Sequence, residues 1–111
     1  MDQLNRYREI IERILLEVAA SPYTYGEVED FTVFDRQNDR YFVMTQGWGK
    51  EGRVHHCLVH IDIIDGKFWI QKDGTEEGIA TDLERAGVPK DHIVLGFRRP
   101  ELRQYTEYAA A

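Results

Sequence analysis

The chain has 111 residues, a formal net charge of −6 and a pI near 5.1, with 42% apolar and 12% aromatic residues. That length suits one domain with one core, the apolar fraction argues against disorder, and no apolar run approaches the roughly 20 residues of a membrane span. The acidic balance disfavours direct DNA binding, because phosphate neutralisation supplies most non-specific nucleic-acid affinity and needs a local basic patch. Asp2 and Glu9 stand where a secretory signal carries a basic patch and then an apolar block. The single cysteine, Cys57, has no internal disulfide partner. A cytoplasmic protein is expected.

Residues 3–20 read as an amphipathic helix. Leu4, Ile11, Ile14, Leu15 and Val18 recur at three- and four-residue spacing as one apolar stripe, and Arg8, Glu9, Glu12 and Arg13 supply the solvated face. Asp2 is the expected N-cap, and Ser21-Pro22 the stop. Strands follow at 28–36 and 41–46, joined by a hairpin at Asn38-Asp39, two residues that tolerate positive φ. A wider connection at 47–52 leads to a long strand at 54–64. Asp65-Gly66 then makes a tight hairpin to a partner strand at 68–71. A second helix is expected over 76–86, capped by Thr75 and stopped by Gly87 and Pro89. Residues 93–97 give a short fifth strand, and Pro100 opens a short terminal helix. The fold class is α+β: an antiparallel meander of four to five strands with the N-terminal and second helices packed on it, in one domain spanning 1–111.

The densest chemistry lies at 55–62, which reads HHCLVHID. Strict strand alternation puts His56, Leu58, His60, Asp62 and Ile64 on one face, and His55, Cys57, Val59, Ile61 and Ile63 on the other, apolar, core face. A two-residue turn at Asp65-Gly66 would pair Ile63 with Phe68, Ile61 with Ile70, Asp62 with Trp69 and His60 with Gln71. His60 and Asp62 are close enough to share a ligand, but four strand residues carry His56 roughly 13 Å from His60, too far to join one zinc ion. No metal and no cofactor is therefore expected, and Cys57, facing the core, should be an inert thiol. Phe31, Phe34, Tyr41, Phe42, Trp48, Phe68 and Trp69 fall on both strand parities. Both sheet faces must then be covered, either by helices split between them or by a partner.

The C-terminal run DGTEEGIATDLERAGVPKDHIVLGFRRPELRQYTEY, from Asp73 to Tyr108, with HIDIIDGKFWIQ from His60 to Gln71 upstream, resembles the XisI family. That family comprises controlling factors for excision of the fdxN DNA element in heterocyst-forming cyanobacteria. The matching positions are Asp65-Gly66, Trp69 to Gln71, Asp73 to Glu76, Gly78 to Ala80, Val94 to Phe97, Pro100, Arg103 and Thr106-Glu107. The resemblance implies an accessory, non-enzymatic role through protein partners, among them an XisH-like protein of nuclease-like fold, and carries over no catalytic residues. The partner-binding candidates are His60, Asp62, Trp69 and Gln71 on the strands, with Arg98, Arg103, Thr106 and Glu107 on the terminal arm. A homo-oligomer is expected as well. The rival reading from another class is a small metal-assisted enzyme built on His60, Asp62 and a helix-cap glutamate.

Overall fold

A computed structural model describes residues 2–20 and 27–111; the expected stop at Ser21-Pro22 lies outside them. Helix α1 spans Gln3–Ala19, with the Asp2 carboxylate accepting from the Asn5 amide at 2.8 Å. Its buried side is Tyr7, Ile10, Ile11, Ile14 and Leu15. Leu4 stays 38% exposed, so the stripe begins at Tyr7, one turn later than its spacing predicts. The charged side is not purely solvated either. Arg8 makes a two-pronged contact with Asp39 at 2.7 and 3.1 Å, and Glu12 takes both prongs of Arg36 at 2.7 Å. These pairs tie the helix to the first hairpin.

Strands β1 (Glu27–Asp35), β2 (Arg40–Gly49), β3 (Gly52–Ile64), β4 (Lys67–Asp73) and β5 (Ile93–Val94) form one sheet in the order β1-β2-β3-β4-β5. The first four are an antiparallel meander, whereas β5 runs parallel to β4. The sheet is thus mixed, not antiparallel throughout, because helix α2 (Ile79–Arg85) carries the chain back across the sheet before β5 begins. Strand β5 ends at Val94, since the chain turns at Gly96 and Phe97. The expected wide connection at 47–52 is instead a two-residue turn at Lys50-Glu51, flanked by the paired Gly49 and Gly52, with Gly52 at positive φ, which lets both strands run on. Both hairpin turns match expectation, with Asp39, Asp65 and Gly66 at positive φ. A four-residue helix, α3 (Pro100–Arg103), follows near the C-terminus. Among the described residues no helix is long and apolar enough to cross a membrane.

Helices α1 and α2 pack on the same sheet face. Their buried residues join Tyr41, Val43, Val59, Ile61, Ile63, Phe68, Ile70 and Ile93 in one core, where Tyr7 stacks on Phe68 with ring centroids 4.7 Å apart. Two bulges set which side chains reach it. Between β2 and β3 the register steps from Val43↔Val59 to Met44↔Cys57, leaving Leu58 as the extra residue. Between β3 and β4 it steps from His60↔Lys72 to Ile61↔Ile70, leaving Gln71 unpaired. The expected His60–Gln71 pairing is therefore replaced by His60–Lys72.

The second bulge rephases β4, so that Asp73, opposite buried Val59, arrives on the helix side. There its carboxylate accepts from the Ile79 amide at 2.7 Å and from the Thr75 amide and hydroxyl at 2.9 and 2.6 Å. Helix α2 accordingly starts at Ile79 behind Gly78, three residues later than expected, with Asp73 rather than Thr75 meeting its first free amide. Asp73→Ala is expected to cost about 1–2 kcal/mol, the usual worth of such a cap, and to speed amide exchange in α2 selectively. Unchanged stability in chemical denaturation would remove this role.

Asp39 joins α1 to the hairpin and also accepts from the buried Tyr41 hydroxyl at 2.9 Å. The Arg8 guanidinium holds the Asp39 carboxyl below the usual carboxylate range. A depressed folded-state pKa gives stability that is complete above the unfolded value and lost as pH falls through the folded one. The acid limb should therefore lie below about pH 4. Asp39→Asn keeps a residue tolerant of positive φ and an acceptor for Tyr41, so it isolates the charge. We expect a loss of about 1–2 kcal/mol at neutral pH and a shallower fall in acid. Parallel stability curves for the two proteins would contradict this.

Candidate functional site

The sheet face turned away from α1 and α2, helix-free except where Arg103 of α3 reaches its Trp69 edge, is built from alternate residues of the meander. Phe31 and Val33 of β1 lie opposite Met44 and Phe42 of β2, and these lie opposite Cys57 and His60 of β3. Asp62 follows, opposite Trp69 of β4. The Leu58 bulge inverts the parity of everything before it. Cys57, expected in the core, lies on this open face beside Met44, while Leu58 packs against the core. His55 shares the open face, and His56 pairs with buried Thr45 on the helix side. His56 and His60 thus sit on opposite faces, and among the described residues no three His, Cys, Asp or Glu side chains gather as a metal ligand set.

At the centre of the face, His60 stacks on Phe42 with ring centroids 4.4 Å apart and donates through Nε2 to Asp62 Oδ1 at 2.8 Å. Gln71 Nε2 donates to Asp62 Oδ2 at 3.3 Å. The bulge at Gln71 thus costs a ladder pairing yet leaves its amide within reach of the same carboxylate. Satisfied on both oxygens, Asp62 is buried without an orphaned acceptor. Beside it, the Arg103 guanidinium lies 5.1 Å from the Trp69 ring centroid. Its Nε and Nη2 donate to the carbonyls of Arg98 and Gly96 at 3.1 and 3.2 Å, which fixes its orientation. A Cβ at Gly96 would stand 2.7 Å from the Gln71 amide oxygen, at the end of a flexible side chain, and 3.1 Å from the Ile70 carbonyl oxygen, so a larger residue there would displace the Gln71 amide.

Five of the eight candidates, His60, Asp62, Trp69, Gln71 and Arg103, therefore form one polar-aromatic patch. Arg98 lies alongside, its guanidinium over Phe97. Thr106 and Glu107 are engaged within the chain. The Thr106 hydroxyl donates to the Arg103 carbonyl at 2.9 Å, and Glu107 pairs with Lys90 at 3.2 Å. The Ala109 amide bonded to the Ile93 carbonyl fastens the terminal arm to the sheet edge, and the Tyr108 hydroxyl bonded to Glu84 and the Glu107–Lys90 pair hold it to α2 and the turn after it. Phe31, Val33 and Met44 also belong to the face. Their alternation was readable, but which parity pointed away from the helices was not.

Chemically the patch orients an imidazole and a carboxylate but supplies no activated nucleophile. Burial pushes the Cys57 thiol pKa up, and its Sγ donates to the Val59 carbonyl at 3.3 Å. The glutamates of the enzymatic reading, Glu76 and Glu77, lie exposed just before α2, and Glu77 faces Arg85 at 3.5 Å.

These features define a small α+β protein with one helix-covered sheet face and one face presenting rigid aromatic and polar side chains. The XisI protein family model matches residues 1–110, and the chain belongs to that family. A crystal structure of a XisI-like protein from Anabaena variabilis superposes with a TM-score of 0.89 at 36% identity, covering 97% of this chain and 99% of that one. The crystal structure of fdxN element excision controlling factor XisI from the same organism gives 0.83 at 35% identity, covering 99% and 100%. No curated protein matches the chain.

Proposed function

We propose that this chain is a non-enzymatic controlling subunit for excision of a DNA element of the fdxN type, acting by docking an XisH-like protein on its helix-free sheet face. The reading is carried by its likeness, over nearly the whole chain, to the excision controlling factor XisI. The preorganised Phe42, His60, Asp62, Trp69 and Arg103 patch supports the mode of action, since aromatic and arginine anchors dominate protein interfaces. The basic residues Arg98, Arg99 and Arg103 are a thin footprint for DNA on a chain of net charge −6. Co-expression with an XisH-like protein from the same genome, followed by mass determination, tests the proposal. A complex of defined stoichiometry supports it, and separate elution overturns it. The mass of the chain alone reports whether copies also associate.

The His60–Asp62 hydrogen bond favours one competing reading, a small metal-assisted enzyme. Stoichiometric zinc in the purified protein, lost in His60→Ala, would establish that alternative.

A further inference from the structure

We infer that the outer edge of β1 receives an extended basic segment of the protein partner as an added strand. The inference rests on the reading of the chain as a docking subunit and specifies where that docking begins. The two edges of the sheet are treated differently. At the β5 edge, Val94 forms a parallel bridge with Ala109, so the terminal arm occupies it. At the other edge, β1 pairs only with β2, over nine unbroken register positions, and nothing among the described residues pairs with its far side. Natural edge strands of that length are normally interrupted by a bulge, a proline or a lysine, because their free backbone groups template pairing. The sequence of β1, EVEDFTVFD, has none of these and is guarded instead by its acidic side chains, which repel a like-charged strand and admit a basic one.

Charge selects the occupant. Four of the nine residues of β1 are acidic and none is basic. A second copy using the whole strand, antiparallel on itself, would set Glu27 opposite Asp35 twice, and like charges directly opposite destabilise a pair. The side chains sharing the helix-free face are Glu27, Glu29, Phe31, Val33 and Asp35, with Glu27 and Glu29 exposed and Val33 44% exposed. An antiparallel added strand would meet them best with apolar residues opposite Val33 and Phe31 and basic residues opposite Glu29 and Glu27. Read in its own direction, that segment runs apolar-x-apolar-x-basic-x-basic. Main-chain bonds would supply affinity and these alternate side chains specificity. The added strand would also widen the face that carries the His60 and Trp69 patch.

Hydrogen–deuterium exchange on the co-purified complex with the XisH-like protein, alongside the chain alone, tests this. Residues 27–35 should exchange about tenfold or more slowly in the complex, and the double variant Glu27→Lys, Glu29→Lys should weaken association by about tenfold or more with an unchanged melting temperature. A complex that forms with β1 exchange unaltered overturns the inference and leaves the docking reading standing. Concentration-dependent protection of β1 in the chain alone also overturns it, since a second copy then holds the edge. Failure of any complex to form removes the docking reading, and the inference with it.

Discussion

Phe68→Ala is expected to destabilise the protein by about 3–5 kcal/mol, the range for emptying a fully buried aromatic site. Phe68 is 0% exposed, stacks on Tyr7, and lies between Ile63 of β3 and Ile93 of β5. It therefore joins α1, the meander and the parallel β4–β5 pairing at one point. Against a total stability of about 5–15 kcal/mol for a domain, the loss is a large fraction. Urea denaturation would show a lower midpoint with unchanged slope if the native state persists. A change under about 1 kcal/mol would mean that the three layers do not meet there.

Trp69→Ala, one residue along, should have the opposite profile. Its side chain lies on the other sheet face, half-buried under the Arg103 guanidinium. Losing that contact should cost about 1 kcal/mol of stability. In the docking proposed above Trp69 would serve as an aromatic anchor, and its loss should cost about 2–4 kcal/mol of partner binding, roughly 30- to 1000-fold in affinity. Titration calorimetry of the wild-type and Trp69→Ala chains against an XisH-like protein measures it. Wild-type affinity in Trp69→Ala would place the docking surface elsewhere. The adjacent pair thus separates folding from association in two substitutions.

Much of this frame was legible because local chemistry determined it. Asp65-Gly66 and Asn38-Asp39 specify turns through their tolerance of positive φ, and the spacing of Ile11, Ile14 and Leu15 specifies a helix. The bulges were not legible. Leu58 and Gln71 are ordinary strand residues with no glycine or proline to mark an insertion, yet each shifts the phase of its strand. That is why Cys57, His55 and His56 fell on the wrong faces, while His60, Asp62 and Trp69, nearer the tight hairpin, fell on the right ones. The start of α2 was misplaced because its capping carboxylate, Asp73, lies six residues before the amide it serves. The direction of β5 could not be read from two apolar residues, since it depends on where α2 returns the chain.

The order of the strands in the sheet is also their order along the chain. Each of the first four can therefore pair with a neighbour just joined to it by a short turn, and the loop-closure entropy for each pairing is small. The pairings within the meander are local, which favours their formation by successive zipping of hairpins. The parallel closure of β5 and the bridge from Ala109 come last along the chain, whereas the docking of α1 on Phe68 and His92 spans the longest separations. A ribosome releasing this protein would thus present a nearly complete meander before the terminal arm emerges to lock Arg103 over Trp69.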